Sequence, residues 1–350
     1  MSLSRNSLAS LLSSSEPLIV HHWDADGVVS AVTTASFASG RADFMVPPLT
    51  YSPPMSFIDE VARRAAPKDL IVVADYNVSG EFLAALVSRV KRPVVVVDHH
   101  VATYPRLPNL YYYNPAAEGD PDGIWPSTAH VIADALGFYD PLLIATSIYG
   151  DLDEEAPRNP VFRYYMDQVG LDPERDANIP RDCALQIWGA EAAGEVEVLS
   201  RLAYELTYGG VDPCQAIMSD PRLTTLRMRA EEEVENAVSE AVRGMSRIGK
   251  VAVYSVELSL RVSGMVARRL LSRADAPVVA LVAREAMTGA SKIYIRGDIP
   301  DPVMIIKSLR SAGLRASGKS QKGNNVIVID VGAGSPSEAL QKAITLINSS

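Results

Sequence analysis

Four consecutive β-branched residues, Val94-Val95-Val96-Val97, run directly into Asp98-His99-His100. A run of this kind reads as a strand buried on both faces, the habit of a parallel sheet covered by helices. In open parallel α/β sheets, ligands sit in the crevice beyond the carboxyl ends of the strands. The run therefore delivers an acid and two imidazoles to the place where such folds do their chemistry. Taken alone, Asp-His-His also reads as a helix N-cap followed by polar loop residues. Two earlier strands that end the same way argue against that simpler reading.

The first of these is Pro17-Leu18-Ile19-Val20, which runs into His21-His22-Trp23-Asp24-Ala25-Asp26-Gly27 and then into a helical stretch from Val28. Two carboxylates two residues apart beside a glycine suit a pair of neighbouring cations. The second is Leu70-Ile71-Val72-Val73-Ala74, which stops at Asp75 and is followed by a helical pattern over 80–90. Strand-helix alternation of this form predicts a parallel sheet with right-handed crossovers, its strand ends converging on one crevice. A fourth acidic site lies at Gly150-Asp151, after an apolar stretch (141–148) whose periodicity is compatible with helix or strand. His21 and His130 are expected to be structural.

The 350 residues leave room for two domains, each with its own core. No apolar run reaches the roughly 18 residues that span a bilayer. The Ser-rich start lacks the basic and apolar regions of a secretory signal. Cys183 and Cys214 are far apart without a CxxC pairing, which suggests a reducing cytoplasm and neither a disulfide framework nor a zinc site. A net charge of −9 argues against a protein coated in nucleic acid but leaves room for a local basic groove. Residues 223–245 predict one long helix whose Glu231-Glu232-Glu233 run is a solvated face.

Asp24-Ala25-Asp26-Gly27, the isolated Asp75, Asp98-His99-His100 and Gly150-Asp151 resemble, in order and spacing, the four successive motifs of the DHH phosphoesterase family. Asn114-Pro115 and Pro126-Ser127-Thr128-Ala129 resemble family segments that follow the third motif, and His22 to Gly27 is most similar to the RecJ-like nucleases and their archaeal relatives. The resemblance implies a two-domain hydrolase with two divalent cations, Mn²⁺ preferred and Mg²⁺ possible. It implies that Asp24 and Asp26 hold separate metals, that Asp75 bridges them, and that His99 and Asp151 complete the shell. His22 is a further candidate ligand, His100 is expected to face the substrate phosphate, and Asp98 to orient its neighbours. The catalytic candidates are thus Asp75, His100 and Asp98. The donor chemistry agrees, since carboxylates with one imidazole suit Mn²⁺ or Mg²⁺ better than a soft-ligand metal.

The chain from about Gly249 onward resembles the DHH-associated domain. The expected organisation is a parallel-sheet α/β catalytic domain over 1–220, a connecting helix over 221–248 and a smaller α/β substrate-binding domain over 249–350, with the active site in the cleft between them. Arg296 matches an arginine that the family places near substrate. The glycine loop of the family corresponds to 316–323, where Gly318 keeps its place but Lys319 stands where a histidine is expected. Arg315, Lys319 and Lys322 lie in an acid-free stretch (302–329), which suits a phosphate-binding wall. The expected activity is cleavage of single-stranded DNA or RNA, or of short oligonucleotides, from an end. The alternatives are a small-molecule phosphoesterase of the cyclic dinucleotide or pyrophosphate type, and a non-catalytic replication-complex subunit. Replication or repair proteins are conceivable partners, a membrane is not, and a cytoplasmic location is expected.

Overall fold

The computed structural model describes the chain apart from residues 120–124, 138, 288, 320–324, 333–334 and 350, and gives residues 319 and 332 by their backbone alone. It divides into two compact units. Unit 1 comprises 1–191 and 195–227, and unit 2 comprises 192–194 and 228–350.

Unit 1 is built on five strands: β1 (Pro17–His21), β2 (Asp43–Met45), β3 (Leu70–Ala74), β4 (Val94–Val97) and β5 (Leu110–Tyr113). All pair in parallel, in the order β2-β1-β3-β4-β5. The apolar runs of β1, β3 and β4 are buried along their whole length, as expected of central parallel strands. Chain order reverses at β1, so the topological switch point lies between β1 and β3, where such sheets open a crevice. The strands β2 and β5, which sequence patterning does not reveal, are the two edges. The helix Ala25–Phe37 is buried over nearly its whole length and packs against the helices Thr128–Leu136, Pro141–Leu152 and Val196–Tyr208. The ambiguous stretch before Asp151 is thus a helix. Burial on almost every side over 143–149 had removed the polar face that would have marked its period. Cys183 and Cys214, remote in sequence, lie with their thiol sulfurs 3.1 Å apart in the core of this unit.

Unit 2 holds a six-stranded mixed sheet of β6 (Ser246–Ile248), β7 (Val251–Leu258), β8 (Val278–Glu285), β9 (Ser291–Gly297), β10 (Arg315–Lys319) and β11 (Asn325–Gly332), ordered β10-β11-β9-β8-β7-β6. Among the described residues of this sheet, only β7 and β8 pair in parallel. The helices Pro302–Ser311 and Pro336–Ser349 pack their apolar residues, among them Ile305, Leu309, Ala343 and Ile347, on one core with the sheet. The long helix is Pro221–Arg243, its residues up to Arg227 belonging to unit 1 and those from Met228 to unit 2. Its acid run is more than a solvated face, because the Glu233 carboxylate accepts from the backbone and hydroxyl of Ser259 and from the Leu260 N–H.

One expectation is corrected in this unit. The segment expected as a glycine loop begins as the edge strand β10, with Gly318 opposite Ile327. A Cβ at Gly318 would come 2.0 Å from the Val326 carbonyl oxygen, so this glycine serves close strand pairing. Arg315 faces its cross-strand partner Asp330, with Nη1 3.8 Å from the carboxylate. The Lys319 side chain and all of Lys322 lie outside the described residues.

Candidate metal centre

The strand ends of unit 1 place the candidate side chains one by one. Asp24 caps the helix Ala25–Phe37, accepting the Gly27 N–H at 2.9 Å. Asp26, in the first turn of the same helix, is 1% exposed. Its two oxygens accept the backbone N–H groups of Thr128 (2.7 Å) and Ala129 (3.0 Å), the first residues of another helix. That helix turns the positive end of its dipole on the carboxylate.

Asp75 follows β3 in a left-handed conformation (φ 56°) and is 2% exposed. Its N–H still extends the ladder to the Val97 carbonyl (2.9 Å). Its Oδ1 accepts from Thr128 Oγ1 at 2.8 Å and lies 3.7 Å from His99 Nε2 and 3.9 Å from His100 Nδ1. Its Oδ2 lies 3.7 Å from His22 Nδ1. The two oxygens of one carboxylate therefore face two different groups of potential ligands.

Asp98, fully buried at the end of β4, uses Oδ1 to accept from the backbone N–H of His99 and His100 and from His100 Nδ1 (2.8 Å). It acts as a brace for both imidazoles. His99 Nδ1 is 3.1 Å from the Trp125 carbonyl oxygen. Its Nε2 is buried, makes no hydrogen bond, and lies 3.4 Å from Asp151 and 3.9 Å from Asp26. Asp151 comes from the last turn of the helix Pro141–Leu152. A Cβ at the preceding Gly150 would lie 2.9 Å from the Ala25 Cβ, so this glycine lets the two helices approach and brings Asp151 to Asp26. His22 Nδ1 is 2.7 Å from Asp24, and its Nε2 is 3.0 Å from the Tyr51 hydroxyl.

These atoms make three groups in which one donor atom from each member lies within 4.8 Å of the others: His22-Asp24-Asp75, Asp26-His99-Asp151 and Asp75-His99-His100. Asp75 belongs to two of them and His99 to two. His/Asp donor sets of this kind can coordinate divalent cations. The electrostatics call for positive charge. Burial and the charge of Asp151, with a smaller push from Asp24, outweigh the opposing effect of His99 and leave Asp26 pushed up to about 6. Burial and the neighbouring Asp26, Asp24 and Asp151 push Asp75 well above the usual carboxylate range. Asp24 goes the other way, since its own burial is outweighed by His22 and by the Gly27 N–H.

All seven unit 1 candidates, His22, Asp24, Asp26, Asp75, His99, His100 and Asp151, come together, with Asp98 behind them. The substrate candidates Arg296, Arg315 and Gly318 lie in unit 2, on β9 and β10. Sequence reasoning had singled out Thr128 and Ala129 only as part of a family-like segment. Their three hydrogen bonds to Asp26 and Asp75 depend on a contact between residues 53 and more positions apart in the chain.

The parallel sheet thus gathers, at its strand ends, His/Asp clusters that could hold divalent cations. Residues 17–156 match the model of the DHH family, N-terminal domain. No curated protein sequence matches the chain. Among solved structures, RecJ in complex with Mn²⁺ from Thermus thermophilus aligns over 99% of this chain and 54% of its own, with TM-score 0.64 and 20% identity. The chain thus spans about half the length of that protein. An exonuclease RecJ bound to manganese aligns over 99% of this chain and 94% of its own, with TM-score 0.58 and 19% identity. PggH, a pGpG-specific phosphodiesterase from Vibrio, aligns over 95% and 99%, with TM-score 0.50 and 14% identity. At these identities the likeness is one of fold. No helix among the described residues is long and apolar enough to cross a membrane.

Proposed function

We propose that this chain is a two-cation phosphodiesterase acting on single-stranded nucleic acid or short oligonucleotides from an end, with Mn²⁺ preferred and Mg²⁺ accepted. The observation that carries the reading is Asp75, whose Oδ1 faces His99 and His100 while its Oδ2 faces His22. A carboxylate placed in this way suits a bridge between two sites, one served by Asp24 with His22 and the other by Asp26, His99 and Asp151. Two divalent cations held by these residues would supply a hydroxide at neutral pH and would stabilise the leaving oxygen of an in-line displacement. The residues of the chain do the rest. Asp98 holds His100 through Nδ1 and so orients the ring that we assign to the substrate phosphate. No nucleophilic serine or cysteine is required.

The distribution of charge supports an anionic substrate. Residues 1–227 carry 16 Lys and Arg against 30 Asp and Glu, which calls for counter-cations, whereas residues 228–350 carry 17 against 12. Arg296, Arg315, Gly318, Lys319 and Lys322 remain the proposed substrate contacts, serving phosphates away from the scissile bond.

A second reading, hydrolysis of a dinucleotide or another small phosphate compound, has its own observation. Arg315 is 3.8 Å from Asp330, and Arg310 Nε donates to the Ala316 carbonyl, so part of the basic stretch is engaged within its own unit. Retention of every matched ligand position favours an enzyme over a replication-complex subunit. The test is turnover of labelled single-stranded DNA, RNA, dinucleotides and pyrophosphate by purified protein with Mn²⁺. Faster turnover of longer single strands supports the first reading, preference for dinucleotides the second, and no turnover of any of them contradicts both.

A further inference from the structure

The N-terminal turn of the helix Thr128–Leu136 meets both kinds of carboxylate at the centre. The backbone N–H groups of Thr128 and Ala129 go to Asp26, which any residue except proline would supply equally well at these positions. The contact that depends on residue type is the third, from Thr128 Oγ1 to Asp75 Oδ1 at 2.8 Å. Thr128 is fully buried, and among the described residues it is the one hydrogen-bond donor to the Asp75 carboxylate. The imidazoles around that carboxylate stand at 3.7 to 3.9 Å, too far to fix its rotation. Asp75 itself sits on a left-handed turn with its backbone tied to β4, so the remaining freedom is rotation of the side chain.

The geometry assigns to Thr128 the role of a positioning residue that sets the rotation of Asp75, so that its two oxygens address two cations. The inference rests on the two-cation reading above and deepens it. A hydroxyl in this place does two things. It occupies one lone pair of Oδ1, leaving that oxygen a single direction in which to bind. It also couples Asp75 to Asp26, because the same residue holds both, so the spacing of the two carboxylates is set by one helix terminus. Outer partners of metal ligands act in this way in general, by fixing orientation and tuning basicity.

The test compares Thr128→Ser, which keeps the hydroxyl, with Thr128→Ala and Thr128→Val, which lose it, using the full chain. Mn²⁺ stoichiometry and affinity are measured by calorimetry, and exchange coupling between bound Mn²⁺ ions by low-temperature electron paramagnetic resonance. The alanine and valine variants are expected to keep the first Mn²⁺, to bind the second about 10- to 100-fold more weakly and to lose the coupled signal. The serine variant is expected to restore both the second site and the coupling. Two coupled Mn²⁺ ions of undiminished affinity in the folded alanine variant overturn the assignment, as does a serine variant as impaired as the alanine one. If the unsubstituted chain itself binds a single uncoupled Mn²⁺, the two-cation reading fails first, and that outcome is separable because it precedes any substitution.

Discussion

His99 Nδ1 lies 3.1 Å from the carbonyl oxygen of Trp125. A carbonyl can only accept, so Nδ1 carries a proton, and Nε2 faces Asp151, Asp75 and Asp26. His100, the next residue, gives its Nδ1 proton to Asp98 and is about one-third exposed. Adjacent imidazoles are thus prepared for different work.

The expected consequence is a division of effects. His99→Ala lowers Mn²⁺ affinity by at least about tenfold. His100→Ala keeps the metal and lowers kcat by about 10²- to 10⁴-fold, the range for loss of a general acid or base. Calorimetry and steady-state kinetics on both variants decide it, and equal losses of metal affinity contradict the division.

The pH dependence of cation binding follows from the carboxylates. In the cation-free protein Asp26 is pushed up to about 6, and Asp75 is raised as well. A cation must displace these protons, so Mn²⁺ affinity is expected to rise as pH increases through about 6. The same shift has a sign for stability. A carboxyl whose native pKa is raised contributes stability that is complete below the unfolded value of 3.8 and is lost as pH rises through about 6. Chelator-treated protein should therefore lose this contribution between those limits, and Mn²⁺ should offset the loss. Thermal melts of the chain and of Asp26→Asn, with and without Mn²⁺, check this; identical pH profiles for the two proteins without Mn²⁺ contradict it.

Gly150→Ala tests how the helix carrying Asp151 reaches the centre. The added methyl meets the Ala25 Cβ at 2.9 Å, forcing the helices apart. A loss of about 1–3 kcal/mol is expected from such overpacking, with weaker Mn²⁺ binding because Asp151 withdraws. Urea titration and calorimetry measure the two effects, and unchanged values for both would show that the close approach is dispensable.

The central sheet was legible because β1, β3 and β4 are continuous apolar runs that end at acids, and burial on both faces permits little else. The edges were not. The strand β2 has three residues, and β5 reads Leu-Tyr-Tyr-Tyr with two of its side chains half-buried. The candidate ligands were legible in order and spacing, but the support behind them was not. Asp151 lies on a helix buried too fully to show a period, and Thr128 acquires its partners only when a helix terminus docks on two strand ends. The family resemblance places a glycine loop at 316–323, and Arg315 to Lys319 has no apolar alternation to reveal the strand that pairing with β11 makes of it.

Substrate length tests the basic stretch. The triple variant Arg315→Ala, Lys319→Ala, Lys322→Ala is expected to raise KM severalfold for long oligonucleotides with kcat nearly unchanged, since such contacts are shared by ground and transition states. It should also make the salt dependence of binding shallower. Dinucleotides should be cleaved as before. Equal losses on long and short substrates place the stretch at the reacting bond, and no loss on either removes it from substrate binding.

The most direct test of the two-cation account is Asp75→Ala, assayed for turnover and bound Mn²⁺ on the same folded sample. Asp75 is the carboxylate that faces both groups of ligands. The account predicts a protein with a native circular dichroism spectrum, fewer than two bound Mn²⁺ ions per chain and no measurable hydrolysis of any phosphate ester that the unsubstituted chain cleaves. Near-normal turnover with two Mn²⁺ ions still bound would contradict it.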